Sequence, residues 1–345
     1  MLLELHGLGD VEPALRELNF FGREGYVARL FIGYTCSERL RREPWPAPAE
    51  PCSLPPVALT IERPDRPASA PRSFFVGDWS RSWSDDEYGS AIESVRAAIE
   101  AGDVYQVNLV QHLSAEFDGD PLGVAHRLGR LRPLEPRPLV GDRWAIVSAS
   151  PELFLAKRGD RVWTCPIKGT RPAGMPIESP KDSAEHVMIV DLERNDLSRV
   201  CVPGSVCWPH LLVERQMAGV THLVSTVEGT LRPDATLTEL LEATFPGGSI
   251  TGAPKIAALD LIAALEPVGR GASMGALGTV LPSGDLDLAL TIRTFAIADG
   301  RIHLWVGGGI VWDSDPQAEI AESWVKARPL LAAIGAPLAE PLATR

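Results

Sequence analysis

Apolar positions along the chain change period, and the changes mark out its elements. Continuous or alternating apolar runs at 26–34, 57–61, 105–113, 144–148, 153–156 and 162–167 predict strands. A β-rich stretch follows at 275–282, 286–298 and 301–311. Stripes at helical spacing predict helices over 180–199, 236–245, 254–265 and 316–334. Another helix begins at Ser84-Asp85-Asp86-Glu87, a capping box, and runs through about Ala101 to its stop at Gly102. The mixture lacks strict βαβ alternation, which predicts an α+β protein, a large mixed sandwich of helices and sheets. Between 44 and 72 the chain is rich in proline and predicts an irregular connection. The expected organisation is a short N-terminal segment at 1–82, a regular domain at 83–334 and a tail at 335–345.

Two helices place acids where the pattern is apolar. In the first, Glu185-His186-Val187-Met188-Ile189-Val190-Asp191-Leu192 is apolar nearly all round, which predicts a buried helix. Glu185 shares a row with Ile189 and Leu192, and Asp182 lies one turn earlier on the same side. In the second, the stripe Ile320, Trp324, Ala327, Leu331 and Ile334 has Glu319, Glu322 and Lys326 beside it, which predicts an internal rim. Carboxylates from two helices with no histidine or thiol cluster suit Mg²⁺ rather than zinc. Salt bridges to nearby lysine or arginine satisfy the same acids equally well.

Three further segments carry chemistry. Lys168 ends the apolar run 162–167 and precedes the breakers Gly169 and Pro172-Ala173-Gly174. A desolvated lysine there is a neutral amine, able to act as nucleophile or base, whereas a solvated one only caps a turn. Pro246-Gly247-Gly248-Ser249-Ile250-Thr251-Gly252 feeds a helix and offers N–H groups and hydroxyls to a carboxylate or phosphate, or is a plain entry turn. It is not a phosphate loop, since Ala253 follows Gly252. Gly307-Gly308-Gly309 admits close backbone approach, and Arg293 inside an apparently buried strand asks for a fork-shaped partner such as a carboxylate. His222 reads as a general acid/base or as a structural histidine.

Composition narrows the classes. A hydrophobic share of 45% and a charged share of 23% are ordinary for a globular protein, and no run approaches a membrane span. The net charge of −12 argues against nucleic acid as a partner and requires an anionic ligand to find local cations, N–H groups or a metal. Five cysteines without a CxxC pair, and a start that does not read as a signal peptide, point to a reducing, cytoplasmic setting.

In their order along the chain, these segments resemble the chorismate-utilising enzymes over about 83–334. The motifs are Asp103-Val104-Tyr105-Gln106-Val107-Asn108-Leu109, Ser150-Pro151-Glu152, Pro166-Ile167-Lys168-Gly169-Thr170, Ala184-Glu185-His186, Asp191 to Leu197, Thr221-His222-Leu223, Gly248 to Lys255, Ile292-Arg293-Thr294, and Gly307 to Lys326. Two positions discriminate within the family. Members that add water carry a lysine where this chain has Gln106, and members making anthranilate typically read Pro-Ile-Ala-Gly-Thr where it has Lys168. The chain is therefore most similar to the branch that puts ammonia on C4 of chorismate, giving 4-amino-4-deoxychorismate for 4-aminobenzoate and folate. Anthranilate synthase component I is the alternative.

The resemblance implies Mg²⁺ held by Glu185 and Glu322, with Asp182 and Glu319 direct or through water. It implies carboxylate binding by Ser249, Arg293, Lys326 and the Gly309 backbone, with Thr170, Thr251, Gly252 and Gln106 lining the site. Glu152 and His222 are implied as acid/base groups, and Lys168 as the nucleophile at C2 or a purely electrostatic contact. Lys168, Lys255, Arg293 and Lys326 would supply the positive field for a dianion. Thr279 and Met274 stand where relatives often have tyrosines, and Leu2-Leu3-Glu4-Leu5 departs from the family's Leu-Leu-Glu-Ser, so tryptophan binding is not expected. No glutaminase motif is visible. Ammonia is expected from a separate glutamine amidotransferase subunit in a heterodimer, and a separate aminodeoxychorismate lyase is expected to complete 4-aminobenzoate.

Overall fold

Two sheets that exchange strands carry the fold. The computed structural model describes residues 2–42, 46–64, 73–172, 180–217, 220–336 and 343–344. Among them, one sheet has ten strands, ordered Leu2–Leu5, Val57–Glu62, Val27–Ile32, Ala276–Val280, Leu286–Leu290, Leu153–Arg158, Arg161–Cys165, Val220–Thr230 and Ile167–Pro172, with Cys207–Met217 also on Val220–Thr230. The other is built on the long strand Gln106–Gly119, which pairs with Arg301–Ile310; Thr294–Ala298 and Trp144–Ser148 follow outward. Ladders are antiparallel, except where Ala343–Thr344 runs parallel to Ser80–Arg81. The helices are α1 (Val11–Glu17), α2 (Asp85–Glu100), α3 (Pro121–Leu128), α4 (Pro180–Ser198), α5 (Leu237–Thr244), α6 (Lys255–Leu265) and α7 (Pro316–Ile334). The α+β expectation holds.

Three apolar clusters fix the layers. Leu15 of α1, Val190 and Leu197 of α4 and Leu240 of α5 pack with Leu30, Leu155 and Leu288 of the first sheet. Val124 and Leu128 of α3 with Leu331 and Ile334 of α7 cover Val147, Phe295 and Leu304 of the second. Tyr88 and Ile92 of α2 and Ala258 and Ile262 of α6 close over Val107 and Ile310. Each large apolar side chain so buried contributes about 1.5–3 kcal/mol.

Two short crossovers between the sheets flank the site, and one of them corrects an expectation. The apolar run 286–298 is not one strand: Leu286–Leu290 belongs to the first sheet and Thr294–Ala298 to the second. Arg293 sits in the bend between them with φ 50°, so it is not a charge inside a strand. The opposite passage, from Trp144–Ser148 to Leu153–Arg158, carries Glu152. The two crossovers are bonded together, Ala149 N–H to the Arg293 carbonyl at 3.0 Å and Leu290 N–H to the Glu152 carbonyl at 3.0 Å. Likewise the run 162–167 divides at Pro166, which donates no ladder bond.

Helix α4 departs from its expected burial. Ile189 is fully buried, but Val187 is 45% exposed and Ala184 lies at the surface, so α4 lies on the first sheet by one face.

Candidate active site

The strand Ile167–Pro172 is the local cause of the site. Its register against Val220–Thr230 shifts between Lys168 and Thr170, and Gly169 takes φ 60°, a bulge that re-aims the side chains on either side. Lys168 Nζ thereby reaches Glu185 Oε1 of α4 at 2.8 Å and the Ser249 carbonyl at 3.4 Å. Glu185 Oε1 also accepts from Gln106 Nε2 at 2.7 Å, which ties the start of the second sheet's long strand to α4. Gln106 is buried, and its own Oε1 has no donor among the described residues.

The charge on this cluster is settled by its partners. Burial alone would strip the proton from Lys168, yet the Glu185 carboxylate, with Glu152 and Glu322, holds the ammonium above the ordinary lysine value. The expectation of a neutral amine freed by desolvation is therefore reversed in this state. Burial equally opposes the charge on Glu185, but Lys168 and the Gln106 amide outweigh it and hold the carboxyl below its usual range.

A second group stands at the crossovers. Glu152 Oε1 accepts the Ser249 hydroxyl at 2.7 Å and the Ile167 N–H at 3.3 Å. Burial pushes its carboxyl up, against those bonds and the nearby Lys168 and Arg293. Burial lowers the Arg293 guanidinium, which makes no hydrogen bond or ion pair among the described residues; Glu152 partly offsets the shift. His222 is buried and bonds the Gly169 carbonyl through Nδ1 at 3.2 Å, so Nδ1 carries the proton and Nε2 is the basic atom. Burial lowers its pKa.

The third wall is strand Arg301–Ile310. Lys326 of α7 donates to the Gly307 carbonyl at 2.7 Å and pairs with Glu322 at 2.8 Å. A methyl group on Gly308 would lie 3.4 Å from Glu319 Oε2 and 3.7 Å from Glu322 Oε1. One on Gly309 would lie 2.8 Å from Glu185 Oε1. The glycines thus leave room between carboxylates of α4 and α7. Glu319 is buried and accepts the Ser314 hydroxyl at 2.7 Å, whereas the Glu322 side chain is 56% exposed and belongs to an open rim rather than an internal one.

The chain matches the chorismate binding enzyme family over residues 37–332. It belongs to that family. The match begins well before residue 83, where the motif resemblance starts, so it takes in part of the proline-rich connection. The chain is 41% identical over 265 residues to aminodeoxychorismate synthase component 1 of Klebsiella aerogenes, covering 73% of this chain and 59% of that protein. It is 40% identical over 278 residues to anthranilate synthase component 1 of Thermus thermophilus, covering 76% and 59%. The chain thus spans about three fifths of the length of these curated relatives. Among solved structures, anthranilate synthase component I from Streptococcus pneumoniae superposes with TM-score 0.78 at 28% identity, covering 89% of this chain and 80% of that one.

Within this family member, Lys168, Glu185, Gln106, Ser249, Glu152, Gly309 and Lys326 come together around one space, with Arg293 and His222 at its edges. The side chains of Thr170 and Asp182 lie outside the described residues. Thr251 and Gly252 serve the turn itself. The Thr251 hydroxyl donates to the Gly247 carbonyl at 3.0 Å, and Gly252 lies so close to Gln106 that a methyl group there would sit 2.1 Å from its carbonyl oxygen. Lys255 does not add to the field over the site. It is paired with Asp196 and donates to the Pro246 carbonyl at 2.7 Å. Nothing in the spacing of Asp196 and Lys255 foretold that pair, which forms only when α4 and α6 meet.

For a metal, the donor set is of the right chemistry: carboxylates alone, from two helices, around a strand with no Cβ in the way. Among the described residues, however, no three such groups converge on one point, and Lys168 and Lys326 occupy Glu185 and Glu322. Both earlier alternatives, metal ligands and salt bridges, therefore use the same atoms. Also among the described residues, no helix is long and apolar enough to cross a membrane.

Proposed function

We propose that this chain aminates chorismate at C4, giving 4-amino-4-deoxychorismate. The observation that carries the reading is the Lys168–Glu185–Gln106 cluster, set opposite the Glu152–Ser249 pair at the sheet crossovers. The 41% identity to aminodeoxychorismate synthase component 1 supports it. The substrate is a dianion whose carboxylates Arg293, Lys326, the Ser249 hydroxyl and the Gly309 backbone would hold. Glu185 and Glu322, with Glu319 and Asp182, would hold Mg²⁺, which when bound supplies positive charge to a substrate carboxylate. Glu152 or His222 would protonate the C4 hydroxyl as it leaves. In the covalent version, Lys168 first gives up its proton and attacks C2 as C4–O breaks; ammonia then forms the C4–N bond and expels the lysine amine. In the electrostatic version, Lys168 stays charged, as its pairing with Glu185 favours, and ammonia attacks C4 directly.

Relatives named component 1 support a partner subunit, and we propose a glutamine amidotransferase as the ammonia source, with a lyase acting on the product. Anthranilate synthesis is the second reading, favoured by the 40% identity to anthranilate synthase component 1; Lys168 stands against it. The test is incubation with chorismate, Mg²⁺ and ammonium, following product mass and fluorescence. A non-fluorescent amino-chorismate that a lyase converts to 4-aminobenzoate supports the main reading. Fluorescent anthranilate replaces it with the second, and an ammonium-independent isomer removes both.

A further inference from the structure

Just beyond α6, Arg270 and Glu266 form an ion pair with side chains only 1% and 2% exposed. Nε and Nη2 of Arg270 donate to the two Glu266 oxygens at 2.9 and 2.8 Å, and the Tyr34 ring lies 4.6 Å from the guanidinium. The remaining bonds go to backbone of the proposed site's walls. Nη1 donates to the Ile250 carbonyl at 3.0 Å and Nη2 to the Asn108 carbonyl at 2.7 Å. Glu266 Oε1 accepts the Val110 N–H at 3.1 Å. Ile250 lies between Ser249 and Thr251 in the glycine-rich turn. Asn108 lies two residues after Gln106 and pairs with Gly309.

We infer that Arg270 is a positioning residue for the chorismate site, clamping the turn that carries Ser249 to the strand that carries Gln106. The inference rests on the proposed function. Stability alone does not account for the pair, because a buried ion pair is commonly no more stabilising than apolar side chains of the same volume. Its distinctive product is geometric: a planar fork holds two carbonyls from separate segments at one fixed separation, which a lysine ammonium does not reproduce. A shift of the turn against the strand moves Ser249 relative to Gln106, and displacements near 1 Å cost about 10²-fold in rate.

The test compares the wild type with Arg270→Lys and with the double variant Glu266→Gln/Arg270→Met, in which the Gln carbonyl still serves Val110. Thermal midpoint, kcat and KM for chorismate are measured separately. The expected result is a folded double variant with kcat/KM down about 10²-fold, and Arg270→Lys between it and the wild type. A folded double variant with wild-type kcat/KM overturns the inference. If neither variant folds, the Arg270 Nη1 and Nη2 N–H resonances of the wild type, which make the two clamp bonds, decide: chorismate should slow their exchange about tenfold or more, and unchanged exchange refutes the clamp. If the wild type does not aminate chorismate, the proposed function fails by itself. The clamp is then read from chorismate affinity: about tenfold weaker in the folded variants upholds it, and unchanged affinity refutes it.

Discussion

Substituting Gly309 by alanine tests the site's geometry with a single methyl group. That methyl would sit 2.0 Å from Gln106 Nε2, 3.1 Å from Gln106 Cδ and 2.8 Å from Glu185 Oε1. Non-bonded carbon settles at about 3.5 Å or more, so the Gln106 amide must retreat by more than an ångström. Retreat breaks its 2.7 Å bond to Glu185, a hydrogen bond to a charged group, worth about 1.5–3 kcal/mol. Displacing a wall of the site by that distance lowers kcat/KM about 10²-fold. Gly129→Ala, at the end of α3, is the control: an added methyl there meets nothing within 4 Å, so activity should stay within about threefold. The assay is initial rates of chorismate amination with ammonium, alongside thermal midpoints. A Gly309→Ala enzyme as active as Gly129→Ala would refute the proximity argument.

Other outcomes are as specific. Lys255→Met should lower stability by about 3–5 kcal/mol through the stranded Asp196 charge while leaving KM for chorismate unchanged; a raised KM would return Lys255 to the substrate field. Burial holds the Glu193 carboxyl well above its usual range, so the folded state keeps a proton that the unfolded chain loses above about pH 4.5. Wild-type stability should therefore fall relative to Glu193→Gln as pH rises above 4.5, by up to about 1.4 kcal/mol per pH unit until the folded-state carboxyl ionises, and thermal midpoints differing by a constant amount at every pH above 4.5 would contradict this. Chelation should abolish chorismate turnover and Mg²⁺ should restore it; full activity in chelator would remove the metal from the proposed function. Lys168→Met should lose about 10³-fold or more in turnover, and a lysine–substrate adduct seen by mass in the wild type would decide for the covalent role.

Local signals carried much of this fold. The Ser84 capping box starts α2 as written, with the Ser84 hydroxyl accepting the Glu87 N–H, and the α7 stripe buries Ile320, Ala327, Leu331 and Ile334. What escaped lies where the periodicity has no one-sided environment to report. Cys207–Met217 contains Pro209 and is largely exposed, with one neighbouring strand, so no alternation marks it as a strand. Arg293 was misplaced because apolar residues flank it on both sides; they belong to strands of different sheets. At the site, the acids and Lys168 were visible as residue types in odd company. Their partners were not, since Gln106 meets Glu185 and Glu152 meets Ser249 only across long sequence separations.

The pairing of Val27–Ile32 with Ala276–Val280 has a consequence for how the protein is made. During synthesis the early strand can zip to Val57–Glu62 at once, but its other edge stays bare until residue 276 has left the ribosome. Those six residues are buried in the finished protein, so until then the nascent chain carries a sticky, unpaired apolar edge. Translation speed and chaperone supply, rather than the stability of the finished fold, should then govern how much of the enzyme a cell obtains.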